Sequence, residues 1–192
     1  TSAGDLRREV AGGPARERFD ATPIDGADAT QDYRNEPNGF GWVVEIDPFS
    51  PRSPPRKLTA LGRLAHRGAR FAPVTAGRPI VLYLGDDAQD EHLYKFVTRE
   101  TYRPGRTSGR CLDEGTLYAA RFGDDGRGEW LPLDHSDAAF RAAAAASNLV
   151  FEDQADVLVN TRLAADVVGA TRMDRQGRAT VVGWHVRFPF RR

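Results

Sequence analysis

Short runs of β-prone residues separated by turn residues are the feature that most limits how this chain folds. The clearest run, residues 79–84, is continuously apolar and is stopped by Gly85, which is typical of a strand buried on both faces. Residues 92–98 and 116–122 are further strands rich in aromatic and β-branched side chains. The Asp and Gly content of residues 123–126 predicts a tight hairpin turn. Such strands predict a sandwich, a barrel or a propeller, and periodicity does not choose among them.

Two more strands are predicted from alternation of apolar and polar residues. The first has Trp42, Val44 and Ile46 on one face and is ended by Pro48. This pattern indicates a strand with one buried face. The second lies near the end of the sequence and alternates in the same way, with apolar residues Val182, Trp184, Val186 and Phe188.

The second half of the chain also contains two predicted helices. Ser136 or Asp137 can cap an alanine-rich helix that runs through Ala146, because a side-chain oxygen accepts one of the free amide groups of the first turn. Asp153 can cap a second helix that runs to about Val168. The predicted fold class is therefore mainly β with some α.

Composition excludes several classes of function. The 192 residues carry 27 Lys and Arg against 27 Asp and Glu, so no net positive field attracts nucleic acid or an anionic membrane surface. No apolar run approaches the ~20 residues that cross a bilayer, and no apolar signal segment follows the opening residues. The single cysteine, Cys111, excludes an internal disulfide and a thiolate metal cluster. We therefore predict neither a nucleic-acid partner nor a membrane partner.

Four carboxylates follow the apolar run at 79–84, namely Asp86, Asp87, Asp90 and Glu91. Calcium binds through about 6 to 8 oxygens, which such a cluster supplies. A solvated acidic turn explains the same residues, and composition leaves both readings open. His66 stands in a segment of alternating apolar and basic residues, where a lone histidine more often packs or hydrogen-bonds than binds metal.

Four strings carry a resemblance to a known family: NEPNGFGWVVEIDPFSP from Asn35, GDD with LYKFV, LDEGTLYAARF, and TRMDR ending at Arg175. Together they make residues from about 20 to 175 resemble the PhoX-like alkaline phosphatases. That family comprises calcium- and iron-dependent phosphomonoesterases on a β-propeller. The resemblance implies a partial β-propeller in residues 31–175, preceded by a poorly specified segment, 1–30, and followed by a divergent strand or tail, 176–192.

The resemblance also implies roles for individual residues. Asp86 and Asp87 correspond to acidic residues beside the family's metal centre and are candidate metal ligands. Arg175 ends the motif whose arginine binds the substrate phosphate. Arg67 stands where the family has the glutamate of His-Glu-Gly-Ala, and it is a second candidate for phosphate binding, the alternative being an ordinary surface arginine.

Two departures from the family motifs bear on activity. Arg67 replaces one expected acidic ligand, and Gln176-Gly177 replaces a Pro-Glu pair that holds another. The resemblance thus implies a phosphate monoesterase with calcium and iron as cofactors, whose hydrolysis is impaired or lost in this chain alone. The alternative is a non-catalytic propeller fragment with a binding or structural role. Further expectations are a phosphate monoester or inorganic phosphate as ligand, a periplasmic or extracellular location, and self-association through open strand edges.

Overall fold

A computed structural model describes residues 36–50, 52–125, 127–173, 180–182 and 185–187. By its contacts the chain divides into two compact units, Thr1–Gly41 and Trp42–Arg192. In the first unit the described part holds a short 3-10 helix, Glu36–Gly39. The segment predicted to be poorly specified, residues 1–30, lies outside the described residues. In the described part of the chain, no helix is long and apolar enough to span a membrane.

The second unit is built on a five-stranded antiparallel sheet. Its strands follow one another in chain order and each pairs with the next, so the sheet is a simple meander. The strands are β3 (His66–Phe71), β4 (Pro79–Asp86), β5 (Leu93–Thr101), β6 (Gly115–Phe122) and β7 (Gly128–Pro132). Two two-stranded sheets accompany it: β1 (Val44–Glu45) with β2 (Arg56–Lys57), and β8 (Thr180–Val182) with β9 (His185–Arg187).

The predicted strands at 79–84, 92–98 and 116–122 are confirmed as the three inner strands of this sheet. The turn predicted at 123–126 is described for residues 123–125, which follow β6, and the Gly123 amide donates to the Arg127 carbonyl before β7 over 2.8 Å. Gly126 lies outside the described residues. Burial on both faces of β4 is confirmed for one face only. Leu82 and Leu84 are buried, whereas Val81 is half-buried on the opposite face.

Among the described residues, three α-helices follow the five-stranded sheet in the sequence. They are α1 (Ala138–Ala146), α2 (Gln154–Val159) and α3 (Thr161–Val167). Both predicted caps are confirmed: the Asp137 carboxylate accepts the amide of Phe140 at 2.9 Å, and the Asp153 carboxylate accepts that of Asp156 at 2.8 Å.

The prediction of two helices was wrong in number, because the second one is divided at Asn160. The backbone there has φ −107° and ψ 42°, outside the helical region. The Asn160 side-chain amide donates instead to the backbone carbonyl of Asp156 at 3.0 Å and to its carboxylate at 2.8 Å. These bonds satisfy groups at the break, so the chain turns between α2 and α3.

One close approach fixes where α3 meets the sheet. Gly62 follows a 3-10 helix, Thr59–Leu61, and has φ +77°. A β-carbon at this position would lie 2.6 Å from Thr161 Oγ1 and 2.7 Å from a methyl group of Leu117. Glycine is therefore required both by the backbone conformation and by the space.

Two predicted strands differ from the structure. The first is shorter than predicted, and its apolar residues do not form a buried face: Val44 is 48% exposed and Ile46 is 68% exposed. The reason is that β1 pairs only with β2, in the proline-rich connection, and no layer covers these two side chains among the described residues. The single strand predicted near the chain end is a hairpin of β8 and β9, and Trp184 and Phe188 lie outside the described residues.

Candidate functional site

The sheet brings three of the four predicted site residues, Arg67, Asp86 and Asp87, together at one edge. In the register of the antiparallel strands, His66 lies opposite Asp86 and Gly85 lies opposite Leu93. The start of β3, the end of β4 and the start of β5 therefore meet at one place. Asp86 is the last residue of β4, and the other three carboxylates noted in the sequence, Asp87, Asp90 and Glu91, lie in the loop that joins β4 to β5.

Asp86 is fully buried and its charge is matched by one arginine. Arg162, on α3, donates from Nε to Oδ2 and from Nη2 to Oδ1, both at 2.7 Å. The Asp86 side chain is 0% exposed and that of Arg162 is 13% exposed. A third contact joins Arg162 Nε to Glu91 Oε1 at 3.3 Å. The two bonds from Arg162 to Asp86 form a bidentate pair, the geometry in which a guanidinium binds a carboxylate most strongly.

Glu91 is the carboxylate whose ionisation the protein disfavours. Its side chain is 19% exposed. Burial raises the pKa of Glu91 to about 7, and the nearby charge of Arg162 opposes this rise only in part. A carboxyl group with such a pKa exchanges its proton near neutral pH and is able to act as an acid or a base.

A second cluster of polar side chains, His92, Asp166 and Arg172, lies next to the cluster of Asp86, Glu91 and Arg162. His92 is buried and shares hydrogen bonds with the Asp166 carboxylate and the Thr171 carbonyl, both at 3.1 Å. Arg172 reaches the same carboxylate at 2.8 Å. Burial by itself raises the pKa of Asp166, but the hydrogen bond from His92 and the charges of His92 and Arg172 outweigh burial and leave it below its ordinary value. Asp166 is therefore held as an anion.

The chain segment before Arg175 is tied to this edge of the sheet. Met173 and Glu91 exchange both backbone hydrogen bonds, at 2.8 and 3.0 Å. The Thr171 amide donates to the Ala120 carbonyl at 2.9 Å. Arg175 itself lies outside the described residues, and it follows Met173 by two positions in the sequence.

The remaining two candidates contact each other. The guanidinium of Arg67 forms an ion pair with the carboxylate of Asp87, and both side chains are 47% exposed. The Asp87 amide donates to the Ala65 carbonyl at 2.9 Å, which fixes the loop beside β3. The residue proposed for phosphate binding thus neutralises one of the residues proposed for metal binding.

His66 has a structural contact, as predicted from its sequence setting. Its Nε2 lies 3.0 Å from the Gly62 carbonyl. Burial lowers its pKa, so the neutral ring donates from Nε2 and leaves Nδ1 as an acceptor. This Nδ1 and the hydroxyl of Tyr94 are buried without a hydrogen-bond partner among the described residues.

The described residues do not fit the metals that the resemblance implies. They contain no group of three or more His, Cys, Asp or Glu side chains arranged to hold a metal ion. Both oxygens of Asp86 already accept from Arg162, whereas calcium needs about 6 to 8 oxygen ligands of its own. Cys111 is buried, and burial raises the pKa of its thiol, which disfavours the thiolate that binds iron.

Sequence reasoning missed the residues that organise this edge: Arg162, Glu91 as a group of raised pKa, and the pair of His92 with Asp166. Glu91 was counted with the acidic loop, but nothing near it in the sequence indicates its burial. Arg162 is the only arginine between Asp153 and Gly169. An arginine placed among the apolar residues Leu163, Ala164 and Ala165 of this helix was the available signal for an interior ion pair.

Residues 3–184 match a protein-family model described as alkaline phosphatase PhoX. The chain belongs to the PhoX alkaline phosphatase family. The resemblance stated from the motifs is therefore confirmed. A comparison with curated proteins gives no match.

Comparison with solved structures gives a second finding. The chain is similar to Pseudomonas fluorescens PhoX in complex with vanadate, a transition state analogue, with 42% sequence identity and a TM-score of 0.69. The similarity covers 88% of this chain and 32% of that chain. The chain therefore spans about a third of the length of this PhoX structure. The predicted fold, mainly β with some α in a partial β-propeller, is confirmed by this match.

Proposed function

We propose that this chain acts on phosphate monoesters as an alkaline phosphatase-type hydrolase, and that hydrolysis by the 192 residues alone is impaired. The observation that carries the proposal is the backbone bridge between Glu91 and Met173. It brings the motif that ends in Arg175 to the strand end that presents the acidic loop. The vanadate bound in Pseudomonas fluorescens PhoX supports a phosphate group as the ligand.

In this proposal arginine side chains hold the phosphate. Arg175 is the first, and Arg67 is the second because it is half-exposed at the same edge. A guanidinium offers a planar set of N–H donors that matches two phosphate oxygens and the charge that develops on them during transfer. Glu91, with a pKa of about 7, is the nearby group suited to exchange a proton.

Calcium and iron remain the proposed cofactors, on the family resemblance alone. For Asp86 and Asp87 to bind metal, both carboxylates must leave their arginine partners, Arg162 and Arg67. No step is assigned to a metal for this reason. The same two ion pairs are why we propose impaired hydrolysis.

The test is hydrolysis of p-nitrophenyl phosphate with calcium and iron supplied. We expect slow turnover that vanadate inhibits and that Arg175→Gln abolishes. Arg127→Gln is the matched control, because Arg127 is 91% exposed in the turn between β6 and β7. Turnover at the rate of an ordinary phosphatase would contradict impairment. Absence of turnover together with absence of vanadate binding would reject the hydrolase.

The second candidate function is a non-catalytic propeller fragment with a binding or structural role. It is favoured by the internal pairing of Arg162 with Asp86 and of Arg67 with Asp87, which leaves these charges satisfied without a ligand. A melting temperature that does not respond to calcium, to phosphate or to a chelator would support this function. A rise with phosphate that Arg175→Gln removes would favour the hydrolase instead.

Three wider proposals accompany the function. The chain divides into segment 1–30, a propeller domain at 31–175 and a tail at 176–192. Its location is periplasmic or extracellular, as the family resemblance suggests. It self-associates through open edges, since β3 and β7 each pair on one side only among the described strands. Light scattering over a concentration series tests the last point, and a constant monomer mass would contradict it.

A further inference from the structure

A cavity of about 440 Å³ lies at the other end of the sheet from the site described above. Its lining residues are Arg99, Glu100, Thr101, Arg103, Arg106 and Thr107. The first three are the last residues of β5 and the other three lie in the loop after it, whereas Glu91 precedes the N-terminal end of the same strand. The two ends of this strand, Leu93 and Thr101, are roughly 26 Å apart, since eight steps of about 3.3 Å join them.

Hydrogen bonds of the backbone and of one threonine hydroxyl hold the loop that forms this cavity. The Arg103 amide donates to Thr107 Oγ1 at 2.7 Å, and the Thr107 amide donates back to the Arg103 carbonyl at 2.9 Å. The Arg106 amide donates to the same carbonyl at 3.0 Å. Gly77 and Tyr102 join the loop to the neighbouring connection through a bond of 2.8 Å. The arginines are thus carried on an ordered turn.

The charges in the cavity are not balanced. Arg99 pairs with Glu114 at 3.1 Å. Neither Arg103 nor Arg106 has a carboxylate within ion-pair distance among the described residues. Each guanidinium has five N–H donors and keeps its charge at all relevant pH values. The charges of Arg103 and Arg106, which no carboxylate of the described residues neutralises, together equal in size the charge of one doubly charged anion.

We propose that this cavity binds a small phosphorylated compound that also carries hydroxyl groups, such as a sugar phosphate. Arg103 and Arg106 bind the phosphate dianion, and the hydroxyl of Thr107, which already accepts one hydrogen bond, has a proton left to donate. Glu100 repels a bare phosphate but accepts a hydrogen bond from a hydroxyl group. The volume is within the range of small-molecule sites, about 300–1,000 Å³, and leaves space beside a phosphate group.

The test is a titration of the isotopically labelled protein followed by amide NMR, with a chelator present so that no ester is hydrolysed. The probes are glucose 6-phosphate and inorganic phosphate. We expect saturable shifts of the amides of Thr101, Arg103, Arg106 and Thr107, with tighter binding of glucose 6-phosphate. The double variant Arg103→Gln with Arg106→Gln should weaken this binding about tenfold or more, since two charge-assisted contacts are lost.

Two single variants sharpen the result. Glu100→Gln should remove the preference for glucose 6-phosphate over inorganic phosphate, and Arg127→Gln should change neither affinity. Shifts centred on Glu91 and Met173 would place the phosphate in the site of the proposed function and overturn this inference. Equal affinity of the double variant and the unmodified protein, or shifts that do not saturate, would overturn it as well.

Discussion

Substitution of Arg162 should destabilise the fold strongly. Asp86 is 0% exposed, and Arg162→Gln removes the group that neutralises both of its oxygens. Removing one partner of a buried ion pair costs about 3–5 kcal/mol, because the remaining charge stays buried. Asp86 retains one backbone hydrogen bond, from Ala88 at 3.1 Å, so we expect the lower end of that range. A loss of about 3 kcal/mol lowers the melting temperature of a protein of this size by about 6–12 °C.

Urea unfolding followed by tryptophan fluorescence measures this loss, with an unchanged slope as evidence that the transition is the same. Arg99→Gln is the matched control, since Arg99 also pairs with a carboxylate but is 75% exposed. An exposed pair of this kind contributes about 0–1 kcal/mol. Similar losses in the two variants would refute the reasoning.

A double-mutant cycle measures the interaction energy between Asp86 and Arg162 apart from the contacts that each makes with other residues. Asp86→Asn and Arg162→Gln should each destabilise the protein, and the double variant should be less destabilised than the sum of the two. We expect a coupling energy of about 2 kcal/mol, within the range found for residues in contact. Additive losses would mean that the two side chains act separately despite their contact.

Three further predictions concern single residues. Burial raises the pKa of Glu91 from 4.5 to about 7, so the folded state keeps a proton that the unfolded state releases, and stability falls by about 3 kcal/mol between pH 4.5 and 7. Urea unfolding at a series of pH values should show that Glu91→Gln removes this fall, whereas Glu129→Gln, at an exposed position, should keep it. The same pH dependence of the unfolding free energy in Glu91→Gln and the unmodified protein would contradict the raised pKa of Glu91. Asp137→Ala should cost about 1 kcal/mol through loss of the helix cap, measured by thermal unfolding, and an unchanged melting temperature would count against the cap. Gly115→Ala places a β-carbon 2.3 Å from the Val97 carbonyl oxygen and should destabilise by about 1–3 kcal/mol; a neutral effect would show that the strands can separate there.

Much of the fold could be predicted from the sequence, because strands, turns and helix starts depend on residues that are close together in the chain. The run 79–84 and the turn at 123–126 predict strands and a hairpin because side-chain shape and glycine content act within a few residues. Asp137 and Asp153 predict helix starts for the same reason. The sequence did not predict the break at Asn160. The side-chain amide of Asn160 bonds to the backbone carbonyl of Asp156, and this local bond competes with the helix that the surrounding residues favour.

The candidate site depends on contacts that no local pattern contains. Arg162 and Asp86 are 76 residues apart in the sequence, and only the packing of α3 against the sheet brings them together. Arg67 and Asp87 are 20 residues apart and meet through the register of β3 and β4. The motifs point to Arg67, Asp86 and Asp87, which the fold brings to one edge of the sheet, whereas the partner of each charge required the tertiary structure.

The two ion pairs at this edge differ in a way that bears on phosphate binding. Arg162 is held by a fully buried carboxylate, and moving it to a phosphate would leave that charge uncompensated at a cost of about 3–5 kcal/mol. Arg67 is paired to a half-exposed carboxylate, and this pair is worth only about 0–1 kcal/mol. A phosphate dianion can therefore take Arg67 from Asp87 with little loss, because water solvates the released carboxylate. Of the two arginines, Arg67 is the one that the structure leaves able to exchange its partner, and Arg162 serves to hold the edge in place.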